Sequence, residues 1–167
     1  MRPYRLIPLA LAALAALGAS ASQAEVSVRF VDPEQFTDIG PPGKDRQHNL
    51  QALERHLRTE AERCLPPGHN LDVQVLDVDL AGREEWWHHA SADLRVMRET
   101  TWPRINLRYV WRDETGATRG QASERLTDMT YLNRAAMIRG PRSELGYERA
   151  MLADWVEHRL CRATPSR

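Results

Sequence analysis

Nowhere does the sequence stay apolar for the roughly 20 residues that a bilayer-spanning helix needs. Its longest run of that kind, Leu6 to Leu17, is interrupted by Pro8. An excess of charge is missing too, since 23 basic residues face 23 acidic ones. That balance argues against a nucleic-acid partner, which calls for a basic stripe or patch. No phosphate-binding loop, dinucleotide fingerprint, nucleophile elbow or H-E-x-x-H helix occurs. No cofactor is therefore expected, and an enzyme is the less favoured class. Cysteine is limited to Cys64 and Cys161, whose spacing matches no metal motif. Lysine is limited to Lys44, which leaves arginine to carry nearly all the positive charge. Internal repeats and low-complexity tracts are absent.

What is present begins with a leader. Arg2 and Arg5 precede the apolar run, and Ser22-Gln23-Ala24 supplies the small-x-small pattern of a cleavage site. Such a head, core and site describe a secretory signal peptide over residues 1–24, with a mature chain starting at Glu25. The alternative, an uncleaved anchor, is disfavoured by the shortness of the run. No cysteine lies near the cleavage site to take a lipid, so no stable membrane anchor is expected after cleavage. The expected location is periplasmic or secreted. The leader takes two of the 23 bases and none of the acids, so residues 25–167 carry 21 bases and 23 acids, a net charge of −2. In an exporting compartment two cysteines can form a disulfide, with two independent buried thiols as the alternative.

Val26, Val28 and Phe30 alternate with polar residues, the period of a half-buried strand. After a Gly/Pro loop, Leu50, Leu53, Leu57, Ala61 and Cys64 recur at helical steps from Asp45 onward, until Pro66-Pro67-Gly68. Leu71, Val73 and Val75 start a second strand whose phase then slips to Leu76, Val78 and Leu80, which predicts a bulge near Val75-Leu76. A short strand is expected around Leu94–Val96. Ile105, Leu107, Tyr109 and Trp111 alternate most cleanly, followed by a turn at Asp113–Gly116 and a returning edge strand over Ala117–Leu126. Ser143 is the expected N-cap of a last helix bearing Leu145, Leu152, Trp155, Val156 and Leu160. The expectation is an α+β fold, a two-layer sandwich with two amphipathic helices on one face of a mainly antiparallel sheet of about four strands. A single domain would span 25–162, with a short tail at 163–167.

"VSVRFVDPEQFTDIG", "LDVDLAG", "DLRVM", "WPRINLRYVW", "LTDMTYL" and "MLADWV" follow one another in this order. Together they make the chain resemble the domain of unknown function 3016 family, small exported bacterial proteins, from about Val26 to about Val156. The resemblance implies one domain and export. It brings no catalytic residue, cofactor or substrate.

Chemistry could reside in "LDVDLAGREEWWHH", Leu76 to His89. Asp77 and Asp79 share one side of a strand with Cα atoms roughly 7 Å apart, and His88 or His89 could reach back to complete a metal centre. That reading would make the protein a metal-dependent hydrolase. The plainer alternative pairs both aspartates with arginines of neighbouring strands. Trp86 and Trp87 either cap the core or mark a binding surface. Alternation places Arg29, Arg95, Arg108 and Arg112 on the face away from the core, where forked guanidinium groups suit carboxylates or phosphates. The preferred expectation is a non-catalytic binding or accessory module of the envelope. Its open sheet face would take an anionic ligand or an envelope component of unknown identity.

Overall fold

The computed structural model describes residues 23–85, 95–134 and 145–162. In chain order these form β1 (Glu25–Phe30), α1 (Lys44–Glu62), β2 (Asn70–Asp79), β3 (Arg83–Glu84), β4 (Arg95–Val96), β5 (Arg104–Arg112), β6 (Thr118–Thr127) and α2 (Gly146–Val156). The bulk of the expected leader, Leu94 and the 163–167 tail lie outside the described residues, and the cap of α2 is Leu145, not the expected Ser143 two residues earlier. The main sheet runs β1-β2-β5-β6, with β1 and β2 parallel and the other neighbours antiparallel. α1 is the crossover that parallel neighbours require, because a tight hairpin cannot join them. The fold is α+β, with a mainly antiparallel four-stranded sheet and two helices.

The sheet buries one set of alternate residues. Val26 on β1, Leu71, Val73, Val75 and Val78 on β2, Ile105, Leu107, Tyr109 and Trp111 on β5, and Leu126 on β6 share a core with residues of both helices. α1 supplies Leu53, Leu57 and Ala61, and α2 supplies Met151, Leu152, Trp155 and Val156. The rings of Tyr109 and Trp155 meet edge to face at 5.5 Å between centroids, which fixes α2 against the sheet. β6 lies at the sheet edge, as its weak apolar pattern suggested.

The expected slip in β2 is a bulge. Val75 pairs with Leu107 and Asp77 with Asn106, so Leu76 is the inserted residue. One expectation is corrected here: Leu76 does not join Val78 and Leu80 in the core but stands 39% exposed. The bulge absorbs it, and the pattern resumes one residue later at Val78. Beyond β2, Gly82 adopts φ +79°, and a Cβ there would lie 2.9 Å from the Val96 carbonyl oxygen. This close turn separates β3 from β2. A second correction follows, because the strand at Arg95–Val96 pairs with β3 in a ribbon of two strands and does not extend the main sheet.

Cys64 and Cys161 form a disulfide with Cα atoms 4.9 Å apart. Ideal helical arithmetic points Cys161 away from the inner stripe of its helix, at about 100° per residue. The helix does not stay ideal. Residues Glu157–Cys161 widen into a π turn, and the Arg162 amide donates to the Glu157 carbonyl five residues back at 3.1 Å. Each residue of the wider turn rotates less, which brings Cys161 round to the C-terminal end of α1. Replacing both cysteines with serine should lower the unfolding free energy by about 4–5 kcal/mol, the cost of freeing so long a loop. Denaturant midpoints would show this. A change below about 1 kcal/mol, or thiols that titrate in the unreduced native protein, would contradict it.

Candidate functional site: the polar face of the sheet

The residues between the core positions form rows across the other side of the sheet. Register places Arg29, Gln74, Arg108 and Ser123 in one row, from β1 through β2 and β5 to β6. Asp77, Asn106 and Arg125 form the next row, and Asp79, Arg104 and Thr127 the one after. In the opposite direction lie Ser27, Asp72, Val110 and Gln121. Adjacent strands are about 4.8 Å apart, so Arg29 and Arg108 have backbones about 10 Å apart with Gln74 between them.

The three aspartates on this face are all engaged. Asp72 accepts the Ser27 hydroxyl at 2.6 Å and Arg112 at 2.9 Å. The hydroxyl contact first, then Arg112 and last the charge of Arg29, hold this carboxyl below its ordinary 3.8 against the opposing effect of burial. Asp77 takes the backbone N–H and the hydroxyl of Thr37 at 2.7 and 3.0 Å, pinning the loop after β1. Asp79 is almost fully buried, bonded by Arg104 and 3.5 Å from Arg83. Asp77 and Asp79 do share one side of β2, but their oxygens turn to separate partners. Among the described residues they form no group of three metal-ligating side chains; the one such group is Glu157 beside the two disulfide sulfurs. His88 and His89, and with them Trp86 and Trp87, lie outside the described residues.

The arginines divide into two kinds. Arg112 is tied to Asp72. Arg95 belongs elsewhere, a correction to its place on this face: as part of the β3–β4 ribbon it donates to Asp38 at 2.8 and 2.6 Å. By contrast, Arg108 donates from Nε and Nη2 to the neutral Gln74 side-chain oxygen at 2.9 and 2.6 Å. Arg125 donates to the Asn106 side-chain oxygen at 3.1 Å. Arg29 is exposed and forms no ion pair among the described residues. Neutral amides therefore orient two of these three guanidinium groups and leave their charge uncompensated. Alternation alone does not single out Arg125, because β6 alternates weakly; pairing it against Asn106 of the strongly patterned β5 is the signal that finds it.

A separate polar cluster sits where β2 ends. Glu148 of α2 is buried and accepts the Ala81 backbone N–H at 2.7 Å. Burial raises its carboxyl above the ordinary 4.5; the Ala81 amide, its own amide and Arg95 oppose this, and Asp38 adds to it. The contact joins α2 to the turn that leaves β2, a structural task. No helix among the described residues is long and apolar enough to cross a membrane.

The folded state holds the Glu148 proton more tightly than the unfolded chain does. Its carboxyl therefore favours folding fully below pH 4.5 and loses that contribution as pH rises through the folded value. Glu148→Gln keeps an oxygen for the Ala81 amide and removes the titration. The variant's stability should fall less than the wild type's between pH 4.5 and neutrality, measured by denaturant unfolding across that range. Parallel pH profiles would show that the buried carboxyl is not the cause.

The sequence profile described as "Protein of unknown function (DUF3016)" matches residues 24–158, and the chain belongs to that family. No curated protein matches the sequence. Among solved structures, a minor lipoprotein from Acinetobacter baumannii is 12% identical, over 80% of this chain and 87% of that one, with a TM-score of 0.21. A likeness that low carries nothing about the site.

Proposed function

We propose that this DUF3016 protein is an exported, non-catalytic binding module of the cell envelope, using the uncovered sheet face to take an anionic ligand. The observation that carries the reading is that Arg108 and Arg125 meet neutral amides, while Arg29 makes no ion pair among the described residues and only feels the charge of Asp72. Surface arginines whose role is stabilisation typically meet acids across strands, as Arg104 and Arg112 do here. Arg108 and Arg125 instead face amide oxygens, which hold the forked donors in place without cancelling their charge. A carboxylate or phosphate would find them already oriented.

The leader pattern supports export, with Glu25 as the first residue of a mature single domain. A two-layer arrangement, with both helices on one face and the opposite face left open, suits a module that presents its sheet outward. The metal-dependent hydrolase reading receives less support, since Asp77 serves the Thr37 turn and Asp79 serves Arg104.

Arg108→Ala should change stability by no more than about 1 kcal/mol, because the pair it loses is exposed. The same substitution should weaken retention of the mature protein on an immobilised phosphorylated or carboxylated matrix at low salt, so that it elutes at lower salt than wild type. Retention equal to wild type, with an unchanged melting curve, would make the arginine row ordinary surface.

A further inference from the structure

Two of the four large apolar residues exposed among the described residues, Val31 and Leu76, lie on neighbouring stretches of backbone joined by the Val31–Val75 hydrogen bond. Leu76 is the bulged residue of β2, which lies between β1 and β5. The core side there is sealed by Val75 and Val78, which are 1% and 0% exposed. A side chain in that position reaches solvent only through the polar face. Val31 follows Phe30, whose ring packs at 6.4 Å from that of Phe36. Alternation sends Val31 the opposite way, and its amide bonds to the Val75 carbonyl at 2.9 Å, beside Leu76. The pair forms an apolar step bordering the Arg29–Gln74–Arg108 row.

Charge is concentrated on the same face. Arg29, Arg104, Arg108, Arg112 and Arg125 outnumber Glu25, Asp72, Asp77 and Asp79 by one, whereas residues 25–167 as a whole carry two more acids than bases. A positive face on a net negative chain orients the molecule toward an extended anionic surface. A small soluble anion would engage the guanidinium groups and gain nothing from Val31 and Leu76. A bilayer offers both partners at adjacent depths, phosphates at the headgroup level and acyl chains just beneath. We infer that this face docks on the surface of an anionic bilayer. Arg29, Arg108 and Arg125 meet lipid phosphates, and Leu76 and Val31 dip to the acyl boundary. The inference rests on the anion-binding reading above and names its ligand.

The test uses the mature protein and sedimentation with vesicles of phosphatidylglycerol and phosphatidylcholine, against vesicles of phosphatidylcholine alone. Soluble polyphosphate serves as a second ligand. The mature protein should bind the anionic vesicles and not the neutral ones, and added salt should release it. Arg29→Gln, Arg108→Gln and Arg125→Gln should each weaken vesicle binding about fivefold, the equivalent of about 1 kcal/mol for one arginine at a membrane surface. Leu76→Ser and Val31→Ser should weaken vesicle binding severalfold and leave polyphosphate binding unchanged. Both serine variants lie at exposed positions, and their melting curves confirm folding. Vesicle binding that is insensitive to both serine variants, or equal on neutral vesicles, overturns the membrane assignment. Polyphosphate binding that still depends on the arginines would then leave the anion-binding reading standing. If the arginine variants match wild type for both ligands, both readings fail.

Discussion

The pairing of β2 with β5 sets the rest of the molecule. These two central strands supply most of the sheet's core residues, and their register decides which residues enter the core and which face outward. A slip of one residue would bury Asp72 and Gln74 and expose Leu71 and Val73. The bulge at Leu76 lets the ladder keep its faces where the sequence changes phase. One inserted residue thus keeps the apolar residues in the core they share with the helices and the arginine rows on the other side. It also leaves a leucine exposed where a regular strand would have none.

Asp79 looks chemical in the sequence, yet it and two acids packed near the end of β2 serve as fasteners in the structure. Asp38 is held by Arg95, Asp79 by Arg104, and Glu148 by the Ala81 amide. Each joins segments distant along the chain: the loop after β1, the β3–β4 ribbon, β5 and α2. Burying a carboxylate is costly unless it is bonded, and these acids meet that condition with an arginine or a backbone amide. The disulfide plays a comparable part at the opposite end of α1, where the π turn after α2 brings Cys161 to Cys64.

Much of this architecture is legible in the amino-acid pattern alone. The strands at Val26–Phe30 and Ile105–Trp111, the helix from Asp45, the bulge and the Asp113–Gly116 turn all follow from periodicity and turn chemistry, which are local. Indeed, the Asp113 side chain accepts the Thr115 and Ala117 amides, and Gly116 takes φ +83°. What the pattern does not carry is non-local. Arg95 alternates with Leu94 and Val96 like any strand residue, and nothing in that triplet says its strand pairs with Arg83–Glu84 instead of the main sheet. Arg108 and Arg112 are equivalent by alternation, yet register gives one a glutamine and the other an aspartate. The outward turn of Cys161 is correct for an α-helix, and a change of helix type undoes it.

The central claim is that the sheet face bearing Arg29, Arg108 and Arg125 is the surface at which the protein meets anions. Backbone and arginine Nε–H resonances of the mature protein, followed by heteronuclear NMR during titration with a short soluble polyphosphate, test it most directly. The account predicts saturable shifts centred on Arg29, Arg108 and Arg125 and their neighbours Gln74 and Asn106, with Arg95 and the outer face of α1 unmoved. Shifts centred on α1, or on Arg95 and Asp38, would contradict it.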